Sequence, residues 1–560
     1  MKYGTVLKDI GVERMQFAPD GHPGVVVQYD FINNSEHERQ IRFTLSVKTD
    51  LLPVWLSERL GIRDAADRVS WDAATGRFLA RDTRHPWFAV WGASAGRAER
   101  VSDPPELPTA GQGVTAASRY RLTLAPHHTT TLTFVFAGSG RSWAEAQNTF
   151  AYLARHHDRL LEQKKAHYAA LIDRAKIRIP DQHLQQVYDW VKIDAEWLVR
   201  DVPGIGRGLS AGLLEYPWWF GTETYSLQAL LASGNVELAK QTLRLLRDQS
   251  RKFNRNGRII HEVTTYGALS NPGNTQETAQ FILTAGRVVQ WTGDRAFARE
   301  IYPAMRQGLH WLLSDRDKNH DLFPEGYGIT EILGLNAGVI DVAVYTQQAL
   351  LATADIADLL GERTQAARDR KLAAQLERKI NERFWVDQDS SYADFYGTRA
   401  QAISTAEGAV KQIELKGEDK LTARDRELIG YYQKLEAKFA AMPDTSRGWI
   451  TNQNWVVITP MEMAIAPRER ALRVLDRFRK GSVGEYGPYL SAVDRGAMMT
   501  ISTGVAAVSE ANYGRTDQAL WYMDKIVETF NRKLPGSMSE MMPDEGCFVI
   551  AWTMYGIVLP

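Results

Sequence analysis

Residues 275–314 read TQETAQFILTAGRVVQWTGDRAFAREIYPAMRQGLHWLLS, the clearest helical stretch of the chain. Apolar residues recur every three or four positions on both sides of Thr292-Gly293, which predicts helices over 275–292 and 296–314. A glycine directly after the last periodic residue is a common helix stop signal. This stretch therefore predicts two consecutive helices joined by a tight turn.

The same pattern recurs through most of the chain. Further helices are predicted at 183–200, 224–233, 236–252, 339–360, 364–384, 469–480, 503–512, 515–530 and 547–558. Consecutive helical hairpins predict an (α/α)6 barrel, in which inner and outer helices alternate. An α-solenoid is the structural alternative, but the sequence has no fixed repeat period, which argues against it. Residues 405–440 are charged and helical and read as an insertion with a solvated face.

The first part of the chain has a different period. Short β-branched and aromatic runs at 25–31, 41–47, 87–91 and 129–135 read as strands between turn residues. We therefore expect a mainly α protein in which an N-terminal antiparallel β-sandwich (1–141) precedes the barrel. A linker helix over 142–178 joins it to a catalytic domain over 179–560. The β domain is expected to support its neighbour.

Composition excludes several kinds of partner. Lys+Arg and Asp+Glu both number 67, so the net charge is zero and gives no case for binding nucleic acid or an anionic membrane. Cys547 is the only cysteine, which rules out an internal disulfide and a cysteine-based zinc site. No signal segment or transmembrane run is visible. The compartment stays open between the cytoplasm and, if the chain starts inside a longer precursor, the periplasm. The oligomeric state stays open too.

Four segments resemble motifs of one enzyme group. They are 212–224 (GLLEYPWWFGTET), 274–279 (NTQETA), 321–331 (DLFPEGYGITE) and 537–552, which contains SMSE and GCFVIAW. In the same order, they are similar to four motifs of bacterial glycogen-debranching and amylo-α-1,6-glucosidase proteins. These motifs are YPWFWGRDT, NTADAT, a segment ending in WMD, and SEI followed by GC and QAWS. The same barrel and preceding β-sandwich occur in the related glucoamylases. The resemblance implies an anomer-inverting glycoside hydrolase whose partner is an oligosaccharide.

The resemblance also assigns roles. Hydrolysis with inversion needs two carboxyl groups roughly 6.5–9.5 Å apart, one as acid and one as base for a water. It implies Glu331 as the acid and Glu540 as the base. Where the debranching pattern has aspartate, this chain has glutamate at Glu223, Glu277 and Glu331, which puts the debranching specificity in doubt. Glu331 as a helix cap or salt-bridge partner is the structural alternative, and Glu325 is the rival for the acid.

The sugar-binding residues are expected in the aromatic and polar loops. Glu223 and Trp219 are expected to form the floor of the non-reducing-end subsite, while one of Trp218 and Trp219 belongs to the core. His261 and Glu262 suit either sugar hydroxyls or a buried network, and the aromatic loops 449–455 and 484–489 suit subsites or ordinary turns. The full predicted set is Trp218, Trp219, Glu223, Arg207, His261, Glu262, Glu277, Tyr327, Trp449, Asn452, Trp455, Tyr486 and Trp552.

No metal or cofactor is expected. His261-Glu262 lacks the second histidine of a zinc helix motif, and Gly204-Ile205-Gly206-Arg207-Gly208 follows no strand of a dinucleotide-binding unit. Three functions stay open at this point. The first is an exo-acting inverting α-glucosidase. The second is a glycoside phosphorylase, in which phosphate replaces the base, and the third is a sugar-binding relative without activity.

Overall fold

The computed structural model describes residues 2–7, 9–96, 98–330, 332–451, 454–490, 496–543 and 546–560, and for 2–7 it describes the backbone only. The chain divides into two compact units, Met1–Leu171 and Ile172–Pro560. The predicted acid Glu331 and the predicted sugar-binding Asn452 lie outside the described residues.

The first unit consists of antiparallel strands followed by one long helix, α1 (Trp143–Asp173), which crosses the boundary between the units. The strands are β1 (Lys2–Leu7), β2 (Ile10–Phe17), β3 (Gly24–Asn33), β4 (Arg39–Lys48), β5 (Asp67–Asp72), β6 (Arg77–Asp82), β7 (Phe88–Ala93), β8 (Glu99–Arg100), β9 (Thr115–Leu124) and β10 (Thr129–Ser139). One sheet has the order β1-β2-β3-β10-β7-β6-β5, and a second has the order β4-β9-β8. The prediction of an N-terminal antiparallel β region is confirmed.

Aromatic side chains of the two sheets share one core. The Phe31 and Phe43 rings, from β3 and β4, lie 5.4 Å apart, and the Tyr120 and Phe134 rings, from β9 and β10, lie 5.2 Å apart. Another face of the larger sheet is covered by α1, whose Phe150 is fully buried in a core with strand valines. The smaller sheet buries one face against the larger one, and this accounts for the alternation of half-buried and exposed residues in β4.

The second unit is mainly helical. Its helices are α2 (Gln182–Trp197), α3 (Thr224–Ala232), α4 (Val236–Phe253), α5 (Thr275–Thr292), α6 (Arg295–His310), α7 (Ile340–Leu360), α8 (Arg363–Arg383), α9 (Arg399–Glu414), α10 (Ala423–Ala441), α11 (Thr459–Glu462), α12 (Arg468–Gly481), α13 (Thr500–Asn512), α14 (Thr516–Val527) and α15 (Thr553–Val558). A π-helical turn (Trp311–Asp315) extends α6, and together they cover the predicted helix 296–314. The charged segment 405–440 forms the hairpin of α9 and α10.

Six of these helices form a closed series of contacts. In this series α3 packs against α5, α5 against α7, α7 against α11, α11 against α13, α13 against α15, and α15 against α3. We call these helices the inner ring. The long members α5 and α7 are buried on nearly all sides, whereas α4 and α6 outside the ring have one apolar face.

The inner-ring helices all begin at one side of the unit. Short turns follow α3, α5 and α7, after which α4, α6 and α8 run back beside them. The turn after α5 shows how two residues end one helix and begin the next. Gly293 ends α5 with a positive φ of 64°, and the Asp294 side chain caps α6. Long segments precede each inner-ring helix instead, so these six segments share the N-terminal side of the ring.

Short strands pair within these segments and, at several places, between them. They are β11 (Val199–Val202), β12 (Gly206–Leu209), β13 (Gly212–Leu213), β14 (Trp219–Phe220), β15 (Glu262–Val263), β16 (Leu269–Asn271), β17 (Glu325–Gly326), β18 (Ala337–Val339), β19 (Trp385–Val386), β20 (Ser391–Tyr392), β21 (Phe395–Tyr396), β22 (Gly448–Trp449), β23 (Val483–Gly484), β24 (Gly487–Pro488), β25 (Met498–Met499), β26 (Met541–Met542) and β27 (Val549–Ile550). The pairing of β27 with β13 corrects the predicted helix 547–558, which begins only at Thr553. The apolar run 547–552 is a buried strand and turn, and its periodicity alone does not distinguish these from a buried helix.

Candidate active site at the N-terminal side of the inner ring

Glu540 is held in the segment before α15 by its own backbone. Its N–H donates to the Cys547 carbonyl (2.8 Å), and the Cys547 N–H donates to Glu540 Oε2 (3.1 Å). Its carbonyl accepts from the N–H (3.0 Å) and the hydroxyl (2.8 Å) of Thr500 at the start of α13. Gly546 has a positive φ of 52°, and a Cβ at this position would lie 2.5 Å from Glu540 Oε2, so a larger residue would displace this carboxylate. One backbone N–H thus orients the carboxylate, and the Glu540 backbone is anchored to the start of α13.

The Glu540 side chain is buried, with 5% of the residue exposed. Burial raises the pKa of Glu540, the charge of Glu215 raises it further, and the Cys547 N–H opposes both. Burial is also the main cause that raises the pKa of Tyr216. The charges of Glu540, Cys547, Glu215 and Glu262 raise it further. Tyr216 therefore lies close to carboxylates from two different segments of the site.

Trp218 and Glu262 connect the segments before α3 and α5. The Trp218 indole N–H donates to Glu262 Oε1 (3.0 Å), and the Tyr216 and Trp218 ring centroids lie 6.0 Å apart. The pairing of β14 with β15 sets this contact, because Phe220 lies opposite Glu262. Trp218 is packed with Phe220 in a small cluster separate from the main core.

Trp219, the next residue, belongs to the main core. It has no exposed surface, and its indole N–H donates to the Gly208 carbonyl (3.3 Å). Arg207 lies on the β11–β12 hairpin and donates to Gln241 Oε1 of α4 (2.5 Å). It therefore contacts a helix outside the inner ring.

Glu223 and Glu277 stand at the starts of α3 and α5, and both are fully buried. The oxygens of Glu277 accept from the Asn274 N–H (2.8 Å) and contact His261 Nδ1 (2.7 Å), so that this residue closes the capping box of α5. Neither oxygen of Glu223 makes a hydrogen bond of ordinary geometry within the described part of the chain. Burial raises the pKa of Glu223 to about 8, and nearby Ser226 and His261 oppose this only in part.

Two further buried acids had not been singled out from the sequence. Asp341, in the first turn of α7, has a pKa raised to about 7 by burial and accepts from the Ile329 N–H (3.4 Å). Glu462 of α11 accepts from the Tyr345 hydroxyl (2.7 Å) and the Tyr555 hydroxyl (2.5 Å), and burial raises its pKa to about 7. A lone acid in an apolar run, as in VIDVAV and PMEMAI, is the signal that marks both.

The remaining predicted residues are distributed around the same side. Glu325 accepts from the Gln401 amide (3.2 Å), and Tyr327 follows it in the segment before α7. Trp449 is buried under Phe439 of α10, with the ring centroids 5.0 Å apart. The remaining members are Trp455 (buried), Tyr486 (half-buried, beneath the Arg532 guanidinium at 5.7 Å) and Trp552 (buried).

The structure brings together one group that consists of Glu540, Tyr216, Trp218 and Glu262. A second group, Glu223, His261 and Glu277, lies beside Trp218. Within the described ranges, no group of three or more His, Cys, Asp or Glu residues is placed to hold a metal ion. No helix in the described part of the chain is long and apolar enough to cross a membrane.

Solved structures share this fold. A bacterial glucoamylase complexed with acarbose superposes with a TM-score of 0.65 and 11% identity over 98% of this chain and 81% of that one. A protein described as a kojibiose phosphorylase from the human microbiome superposes with a TM-score of 0.57 and 11% identity over 100% of this chain and 73% of that one. Both are (α/α)6-barrel proteins, so the expected resemblance is confirmed for the fold. No protein-family profile and no curated protein matches the sequence.

Proposed function

We propose that the protein is an inverting, exo-acting glycoside hydrolase that cleaves α-glucosidic or closely related bonds in oligosaccharides. In this proposal the inner ring is the inner layer of an (α/α)6 barrel, and residues 1–141 form a β-sandwich joined to it by the helix within 142–178. The closed series of six helix contacts and the two solved structures of this fold support this architecture. The substrate enters at the N-terminal side of the ring.

The buried and fixed carboxylate of Glu540 carries the proposal. A general base must hold one orientation toward a water, and Glu540 is held by the Cys547 N–H on one side and anchored to Thr500 through its carbonyl. Removing the proton from water leaves Glu540 protonated, and the sugar receives the hydroxide at its anomeric carbon. The leaving oxygen receives its proton from a second acid, for which we propose Glu331.

The buried acids around His261 suit the sugar at the non-reducing end. Neither oxygen of Glu223 makes a hydrogen bond of ordinary geometry to another described residue, and burial keeps this carboxyl group protonated at neutral pH. A protonated carboxyl group can donate to one sugar hydroxyl and accept from another. Half-buried Tyr216 supplies aromatic surface close to Glu540 and takes the stacking role, because Trp219 has no exposed surface. Trp218 is 7% exposed and packs against Tyr216. Glu277 supports this subsite by orienting His261.

A glycoside phosphorylase is the second candidate, because the second solved structure is described as a phosphorylase. In that reaction inorganic phosphate attacks the anomeric carbon and no carboxylate base is needed. Glu540 distinguishes the two candidates, since a hydrolase needs its carboxylate and a phosphorylase needs added phosphate.

The test is a screen of α-linked glucose disaccharides and oligosaccharides, followed by NMR with and without inorganic phosphate. The proposal predicts free sugar without phosphate and loss of turnover in Glu540→Gln. Release of a sugar phosphate only when phosphate is present would replace hydrolysis by phosphorolysis. Acarbose, which is bound in the glucoamylase structure, is a suitable probe by calorimetry, because it tests sugar binding independently of turnover.

A further inference from the structure

The first unit contains a cavity of about 320 Å³ at one end of its larger sheet, where β3 and β7 begin and β10 ends. This volume is typical of a small-molecule site. Its floor is one row of the sheet, because Phe136 lies opposite both Val25 and Trp91 in the strand register. The next row consists of Ala89 and Gly138, where little side-chain volume fills the space.

This floor faces the smaller sheet. Val90 and Val135 belong to the core that β7 and β10 form with α1. Because side chains alternate along a strand, their neighbours Trp91 and Phe136 point to the other face, where they share a hydrophobic cluster with Val47 of β4. The smaller sheet stops at this point, since β4 ends and β9 begins next to Val47. It therefore leaves the end of the larger sheet uncovered.

The polar side chains at the rim of the cavity are engaged. Thr49 Oγ1 accepts from a backbone N–H (3.0 Å), and Asp50 accepts from the N–H groups of residues 110 (2.8 Å) and 111 (3.1 Å). Lys48 Nζ donates to a backbone carbonyl and lies 3.9 Å from Asp50 Oδ2, so these two charges balance each other. The rim thus gives no reason to expect a charged ligand.

Trp91 carries a further polar group of the wall. This residue is 2% exposed, and its indole N–H makes no hydrogen bond to any described residue. Its ring stacks on Phe78, with the centroids 5.3 Å apart, and this contact uses the face of the indole and leaves the N–H edge available. A buried donor without an acceptor is costly, and an acceptor atom of a ligand would remove this cost.

The other side chains of the wall are apolar, and Val25 among them is 38% exposed. Burial of such surface favours an apolar ligand, whereas a sugar would bring several hydroxyls for which this wall has few free partners. We infer that the first unit binds an uncharged, mainly apolar molecule with one hydrogen-bond acceptor, such as an aromatic ketone or ester. The β region then has a ligand of its own, independent of the hydrolysis proposed at Glu540.

Butyrophenone and butylbenzene test this on the whole chain by calorimetry, because they share one carbon skeleton and only the ketone has an acceptor. We expect each to bind saturably, with one molecule per chain. Trp91→Phe should weaken binding of the ketone roughly fivefold more than binding of the hydrocarbon, since the variant lacks the N–H. Any loss of packing in this variant affects both compounds and cancels in the comparison.

Gly138→Val tests the location. A Cβ at Gly138 meets only the Phe88 carbonyl oxygen, at 3.5 Å, so valine fits the strand and fills the cavity. This variant should weaken binding of both compounds roughly tenfold or more. Gly140→Val, the same change at an exposed glycine whose Cβ would have no neighbour within 4 Å, should leave binding unchanged. Thermal unfolding checks that each variant is folded, and Ala89→Val fills the same space if Gly138→Val does not fold.

Three results would contradict the inference. If neither compound binds the wild type saturably, the site does not exist. If Gly138→Val leaves binding unchanged, the compounds bind elsewhere on the protein. If Trp91→Phe weakens both compounds equally, the assigned hydrogen bond from the indole is wrong. None of these results depends on whether the protein cleaves a glycoside.

Discussion

Replacing Glu223 by glutamine should raise the free energy of unfolding above that of the wild type, and this difference should grow as the pH rises. The carboxyl is fully buried, and burial raises its pKa from 4.5 to about 8. Between these two values the folded protein holds a proton on Glu223 that the unfolded chain has lost. Unfolding therefore releases a proton, and a rising pH lowers the free energy of unfolding. Glutamine has nearly the shape of the protonated acid and does not titrate.

The size of the effect follows from the two pKa values. The interval from 4.5 to about 8, at about 1.36 kcal/mol for each pH unit, gives an upper value of about 5 kcal/mol. Glu223→Gln and the wild type should be equally stable near pH 4.5. The variant should gain steadily through neutral pH, and its advantage should level off above about pH 8. Asp341 and Glu462 titrate in both proteins and cancel in the difference.

The measurement is urea unfolding of both proteins at several pH values between these limits, followed by tryptophan fluorescence. Glu277→Gln is the matched control, since Glu277 is equally buried at the start of an inner-ring helix but accepts from the Asn274 N–H and contacts His261. This control should lose stability, because the amide disrupts the capping box. Wild type and Glu223→Gln curves that run parallel over the whole pH range would refute the reasoning about Glu223.

Three further results are expected from the proposed function. Glu540→Gln should lower kcat by roughly two orders of magnitude or more with little change in unfolding temperature, as loss of a general base does, and a folded variant with normal turnover would remove Glu540 from the mechanism. Proton NMR of a fresh digest of an α-glucoside should show the β-anomer first, because a water enters opposite the leaving group, and the α-anomer first would indicate retention. Dialysis against EDTA should leave the rate unchanged, and activity that returns only with added zinc or calcium would contradict this.

Local signals in the sequence predicted much of the fold. The break at Gly293 and the period on both sides of it indicated the hairpin of α5 and α6, and alternation indicated strands such as β3. α11 was not predicted, because the four residues Thr459–Glu462 are too few to show a helical period. The segment 547–552 was predicted as helix because its strand partner, β13, lies far away in the sequence.

The site was predictable only as a set of segments. Motif order located Glu540, Glu223 and Trp218, but not their surroundings. The burial of Trp219 and the engagement of Glu277 with His261 depend on contacts between segments that a local pattern does not contain. Asp341 and Glu462 have no motif of their own, and their partners come from other helices of the ring.

The closed inner ring has a consequence for how the protein acquires its structure. The contact between α3 and α15 joins helices from opposite ends of the second unit, and α15 is the last ring helix to be synthesised. Until it emerges, the apolar faces of α3 and α13 that it covers have no partner and are open to association with other chains. Because contacts so distant in sequence form slowly, refolding should compete poorly with aggregation at high protein concentration. The working lifetime of the protein is then governed by how rarely the ring opens.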